Sequence, residues 1–67
     1  MPTIYFEAPK MSKEQKAEIV TAFTQAASKV TGITPHAFVV YIRENDPENV
    51  GVGGELLLER QKREGKK

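Results

Sequence analysis

One stretch governs what this chain can become. Ser12 is followed three residues later by Gln15, the reciprocal capping pattern that satisfies two orphan N–H groups at a helix start. Apolar residues then recur at Ile19, Val20, Phe23, Ala26, Ala27 and Val30, the 3–4 spacing of one buried stripe. Gly32 stands where a left-handed closing residue belongs. The spacing predicts a helix over about Lys13 to Thr31, and a helix with one apolar stripe needs a sheet to bury it.

Both flanks supply strands. Thr3 to Ala8 alternates, with Ile4, Phe6 and Ala8 on one face and Thr3, Tyr5 and Glu7 on the other. Pro9 ends that run because it has no N–H for a ladder. Thr34-Pro35 reads as a cap and a first-turn proline, starting one short turn. Phe38 to Glu44 then reads as the second strand, with Phe38, Val40 and Ile42 on one side and Val39, Tyr41 and Arg43 on the other. Strand, long helix, strand is a βαβ unit, so the strands are expected parallel with a right-handed crossover. The fold class is α/β.

Beyond Glu44 the signals are local. Asn45-Asp46-Pro47-Glu48-Asn49 is a turn cluster. Gly51-Val52-Gly53-Gly54 is too flexible to pack alone and suits a bent C-terminal ribbon that pairs with a neighbour. Glu55 to Arg63 is rich in helix formers, and its charged end is expected to fray from about residue 60. With no linker or repeat, residues 1–67 read as a single domain.

Size then becomes a problem for stability. A chain of 67 residues buries only about 60% of the surface its unfolded form exposes. Small domains compensate with disulfides, a structural metal or association. The sequence has no cysteine and one histidine, His36. Disulfides, thiolate zinc sites, thiol nucleophiles and a multi-histidine metal site are thereby excluded. The stripe of Ile19, Phe23 and Val30 is expected to meet Ile4, Phe6, Val40 and Ile42. Nothing in the chain remains to cover Tyr5, Val39 and Tyr41, so a sheet-to-sheet homo-oligomer is expected.

Charge excludes other partners. Ten Lys and Arg against nine Asp and Glu leave a formal +1, which is no footprint for nucleic acid or anionic lipid. Arg60, Lys62, Arg63, Lys66 and Lys67 form a cationic tail, but no aromatic interleaves it, so it reads as solvated. No apolar run approaches the roughly 20 residues of a membrane span, and no signal-peptide core is present. A soluble, cytoplasmic protein without membrane or nucleic-acid partners is expected.

Three features coincide: a proline directly after the initiator methionine, a capped helix of about five turns after the first strand, and Gly51-Val52-Gly53-Gly54-Glu55-Leu56 after the second. Together they resemble the 4-oxalocrotonate tautomerase family, the short-chain branch of the tautomerase superfamily. The resemblance runs from residue 2 to about 58, and Ser12-Lys13-Glu14-Gln15-Lys16 also resembles the family's helix opening.

That resemblance implies a tautomerase-like βαβ protomer in a homohexamer, a trimer of dimers, with sites between subunits. It implies cofactor-independent isomerisation of small 2-oxo or enol acids. The general base would be Pro2, a rigid secondary amine once Met1 is removed. With Met1 retained, the Pro2 nitrogen is a tertiary amide and cannot act as one. Burial and nearby cations would lower such an amine's pKa toward the working pH, where a base both accepts and returns a proton well.

The remaining family positions depart from the pattern. The arginine expected before the capping serine is replaced by Met11, with Lys10 one residue earlier. The arginine early in the second strand aligns with Val39, and the aromatic before the glycine turn aligns with Val50. Lys10, Val39 and Val50 are therefore the candidate substrate-binding positions. Lys10 would act as a point charge rather than a bidentate fork, and the type enzyme's diacid specificity is left open. Arg43 is expected to pair with Glu7 across the strands. His36 reads as a surface or capping residue, Tyr5 and Tyr41 as interface residues, and Gly53 and Gly54 as serving backbone geometry. Two rivals stand beside this reading: a non-catalytic oligomeric binding module with a decayed site, and a hydratase or dehalogenase using Pro2 as an acid.

Overall fold

A computed structural model describes residues 1–65. The order is β1 (Thr3–Ala8), α1 (Lys13–Thr31), a 3-10 turn (Pro35–Ala37), β2 (Val39–Glu44), a second 3-10 turn (Pro47–Asn49), β3 (Gly51–Val52), β4 (Glu55–Leu56) and α2 (Leu57–Arg63). β1 and β2 pair in parallel, with Thr3 opposite Val39 and Ala8 opposite Glu44. β3 and β4 form a separate antiparallel pair. This is the expected βαβ unit with a C-terminal ribbon.

Local chemistry accounts for the ends of α1. The Ser12 Oγ accepts the Gln15 N–H at 3.1 Å, and the Gln15 side chain accepts the Ser12 N–H at 3.0 Å. At the other end Gly32 adopts φ 77° and donates its N–H to the Ser28 carbonyl at 2.8 Å. A side chain at that φ would be strained.

The core lies between α1 and one face of the β1–β2 sheet. Ala8 is buried, and Ile4, Phe6, Val40 and Ile42 are half-buried beside it. Phe6 meets Phe23 edge to face, with ring centroids 5.2 Å apart. Val30 is not part of this contact, contrary to expectation. It is 86% exposed, and Ala26 is exposed as well. The reason is length. Nineteen helical residues extend about 28 Å, whereas the six-residue strands reach about 20 Å. The last helical turn overruns the sheet.

Two element starts differ from expectation. Phe38 closes the 3-10 turn by donating its N–H to the Pro35 carbonyl at 3.1 Å, so β2 starts at Val39 rather than Phe38. The glycine segment forms the expected ribbon, with Gly51 facing Leu56 and Val52 facing Glu55. Gly53 and Gly54 have φ 61° and 90°, the left-handed pair that a two-residue primed hairpin turn requires. Glu55 and Leu56 are therefore strand, and the helix begins at Leu57.

α2 ends at Arg63, the limit the helix formers of the sequence indicate. Glu55 holds it, accepting Arg63 Nη1 at 2.7 Å, Arg63 Nη2 at 2.9 Å and Arg60 Nε at 3.5 Å. Lys66 and Lys67 of the cationic tail lie outside the described residues. Among the described residues no helix is long and apolar enough to cross a membrane.

The outer face of the sheet carries an aromatic ladder. Tyr5 and Tyr41 are stacked with centroids 5.2 Å apart, and the Arg43 guanidinium lies 5.2 Å above the Tyr5 ring. The two tyrosines are 61% and 50% exposed. Arg43 Nη1 donates to Glu7 Oε2 at 3.2 Å, the pairing that strand register predicted.

Candidate active site

Pro2 sits at the mouth of the parallel pair. It is half-buried, and its carbonyl accepts the Val39 N–H at 3.0 Å, which extends the ladder one residue beyond β1. Met1 projects outward at 89% exposure. Pro2 and Val39 are thus neighbours across the sheet. Val39 is half-buried and offers no hydrogen-bonding side chain at the position where the resemblance implies an arginine.

Lys10 and Val50 belong to the other end. Six residues of β1 place Pro9 about 20 Å from Pro2, and Lys10 follows Pro9. Val50 lines a cavity of about 310 Å³ together with Ala8, Pro9, Glu7, Asn45, Leu57 and Gln61. One protomer therefore brings Pro2 to Val39 and separates both from Lys10 and Val50.

The loop carrying Lys10 is tied from both sides. Ala8 accepts the Asn45 N–H on its carbonyl at 2.8 Å. Glu44 Oε2 accepts the Met11 N–H at 3.0 Å and the Lys16 ammonium at 2.8 Å. The Lys16 hydrogen bond, then that of Met11, lowers the Glu44 carboxyl below its usual range. Lys10 itself is exposed and lends a weaker attraction to the same carboxylate.

The cavity wall is polar at one side. Glu7 Oε1 accepts Asn45 Nδ2 at 3.0 Å while Oε2 is held by Arg43. One N–H of the Asn45 amide is thereby engaged, and its carbonyl oxygen is left for another donor. The Val50 carbonyl accepts the Leu57 N–H at 2.7 Å, which fixes the start of α2 over the cavity.

Sequence reasoning did not single out Glu44, Asn45 or Gln61. Glu44 meets Met11 across 33 residues of chain and Asn45 meets Glu7 across 38, so no local spacing signals either contact. His36 is exposed in its turn, in keeping with a surface role.

Comparison with known proteins places this geometry. The family model described as tautomerase enzyme matches residues 2–60. A probable tautomerase of Dickeya dadantii is 33% identical over 63 residues, covering 91% of this chain and 94% of that protein. The crystal structure of TomN, a 4-oxalocrotonate tautomerase homologue in the tomaymycin biosynthetic pathway, is 31% identical. It superposes with a TM-score of 0.86 over 91% of this chain and 95% of its own. A heterohexamer 4-oxalocrotonate tautomerase from Chloroflexus aurantiacus is 28% identical, with a TM-score of 0.81 over 88% of this chain and 97% of its own. Matched by the family model over residues 2–60 and by these relatives along nearly the whole length, the chain belongs to the 4-oxalocrotonate tautomerase family.

Proposed function

We propose that the protein is a cofactor-independent tautomerase that moves a proton within small 2-oxo or enol acids, with Pro2 as general base after removal of Met1. The observation that carries this reading is the hydrogen bond from Val39 N–H to the Pro2 carbonyl. It fixes the residue on the end of a sheet, while the ring removes rotation about its own N–Cα bond. An amine so held is presented at a defined point. A general base in this role contributes typically 10²–10⁴-fold to rate.

The working site in this reading lies between copies of the chain. Pro2 and Val39 from one protomer would meet Lys10 and the Val50 cavity from another, since about 20 Å separates them within one chain. The near absence of fully buried side chains among the described residues supports association, with Ala8 the one buried hydrophobic residue. A homohexamer is the assembly proposed, by likeness to the hexameric relative.

The test is turnover of phenylenolpyruvate and 2-hydroxymuconate by wild type and Pro2→Ala, each shown by intact mass to lack Met1. A loss of about 10²-fold in Pro2→Ala is expected. Equal rates in the two proteins would remove Pro2 from the mechanism. Turnover by neither would favour a non-catalytic binding module.

A further inference from the structure

α2 contributes more than a lid of charge. Leu57 and Gln61 stand four residues apart, which puts both on one face of the helix, and both line the cavity that contains Val50. Gln61 is half-buried, and no side-chain hydrogen bond of the described residues involves its amide. Its neighbours in the wall are already engaged: Glu7 accepts from Arg43 and from Asn45. The helix bearing Gln61 is anchored at its start by the Val50 carbonyl and along its length by Glu55.

We propose that Gln61 is a specificity-determining residue, whose amide hydrogen-bonds the uncharged polar end of a 2-oxo monoacid held in the Val50 cavity. The inference rests on the function proposed above and adds the substrate class. Lys10 follows the lining residue Pro9 in the chain, and its one charge suits a single carboxylate. The lining also offers Val50, Leu57 and the Gln61 amide, a surface for an apolar chain ending in a hydroxyl or carbonyl. A second carboxylate there would meet no cation among the lining residues, and the Glu7 carboxylate in that wall is already held by Arg43. Desolvating a carboxylate without a partner is costly, which disfavours a diacid.

The amide is also the right group for the task. It both donates and accepts, so it pairs with a neutral carbonyl or hydroxyl without the desolvation cost of a charge. A site that hydrogen-bonds a substrate polar group discriminates against analogues lacking it, because the protein group is then left unpaired.

The experiment pairs kinetics with a binding signal that needs no turnover. Wild type, Gln61→Leu and Gln61→Arg, all lacking Met1, are compared on an enolised 2-oxo monoacid with a terminal hydroxyl and on the diacid of equal length. Wild type is expected to favour the monoacid by about tenfold or more in kcat/KM. Gln61→Leu should raise KM for the monoacid about tenfold, the effect of one lost hydrogen bond. Gln61→Arg should narrow or reverse the preference. In parallel, the Gln61 side-chain amide resonance is followed while 15N-labelled wild type is titrated with the saturated 2-oxo monoacid, and its shift is expected to saturate with the bound fraction. A saturating shift without turnover would uphold this assignment and overturn the catalytic reading. Turnover with an unmoved resonance and an unchanged monoacid-to-diacid ratio in both variants would overturn the assignment and leave the catalytic reading standing. Neither shift nor turnover would overturn both.

Discussion

Glu44, the last residue of β2, accepts the backbone N–H of Met11 at 3.0 Å and so ties the loop before α1 to the sheet. The same carboxylate oxygen accepts Lys16 at 2.8 Å from the first turns of the helix. One side chain thereby sets the position of the Pro9–Ser12 segment and of Lys10 within it. Glu44→Ala is expected to speed hydrogen exchange of the Met11 amide severalfold, since that N–H loses its protein acceptor. Glu44→Gln keeps an acceptor oxygen and should restore most of the protection while losing the ion pair with Lys16. Equal exchange in wild type and Glu44→Ala, measured by NMR, would show that the contact does not hold the loop.

Glu55 imposes a pH signature on α2. The Arg63 hydrogen bonds, the largest influence, draw its carboxyl from an ordinary 4.5 to about 2. A carboxyl depressed by folding stabilises the folded state fully above its unfolded pKa and loses that contribution as pH falls through the folded one. The docking of α2 should therefore be level above pH 4.5 and weaken between about 4.5 and 2. Other carboxylates titrate in the same window, so the informative quantity is wild type minus Glu55→Gln. That difference, followed through the amide signals of α2, should be pH-independent above 4.5 and shrink below it. A constant difference down to pH 2 would contradict the pairing.

The glycine hairpin makes a backbone prediction. Gly54 has φ 90° and open space where a Cβ would lie, whereas Gly53 at φ 61° would bring a Cβ to 3.7 Å from Arg60 Nη2. Neither position is crowded, so the penalty for a side chain is one of backbone conformation. A β-branched residue at either place is expected to cost about 1–2 kcal/mol. Gly54→Val should lower the urea midpoint by that free energy divided by the m-value, and Gly53→Asn should lose less because asparagine tolerates the left-handed region. Identical midpoints for Gly54→Val and wild type would rule out the primed turn.

What was legible in the sequence was what neighbouring residues decide together. Ser12 with Gln15, Gly32, and the alternation of β1 act within a few residues, and their spacing predicts the elements formed. Glu7 and Arg43 followed from parallel register alone. Val30 was misplaced because its burial depends on how far the sheet extends beneath the helix, a tertiary length. The C-terminal ribbon was legible only in outline, because two-residue strands leave no alternation to detect and only the Gly53-Gly54 turn marks them. Glu55 was assigned to a helix on composition, yet strand pairing with Val52 claims it and its carboxylate then anchors that helix. At the candidate site, the resemblance identified Pro2, Lys10 and Val50 as positions along a line. That about 20 Å of strand parts them, and that Asn45 and Gln61 border the Val50 cavity, depends on contacts far apart in the chain.

The exposed face of the sheet yields a last prediction, about assembly. Tyr5 and Tyr41 stack and remain more than half or about half exposed, with Arg43 over one ring and Glu7 paired beside it. In the proposed homo-oligomer this face is covered by another copy, where tyrosine supplies apolar area together with a polar tip. Tyr41→Asp puts an unpaired carboxylate at the centre of the ladder, and burying it would cost several kcal/mol. The variant is expected to sediment as a smaller species than wild type at equal concentration. Because Tyr41 lies outside the α1-facing core, its helix content by circular dichroism should change little where the protomer alone is folded. A wild type that sediments as a stable monomer, or a Tyr41→Asp oligomer of unchanged size and affinity, would show that this face is not the contact.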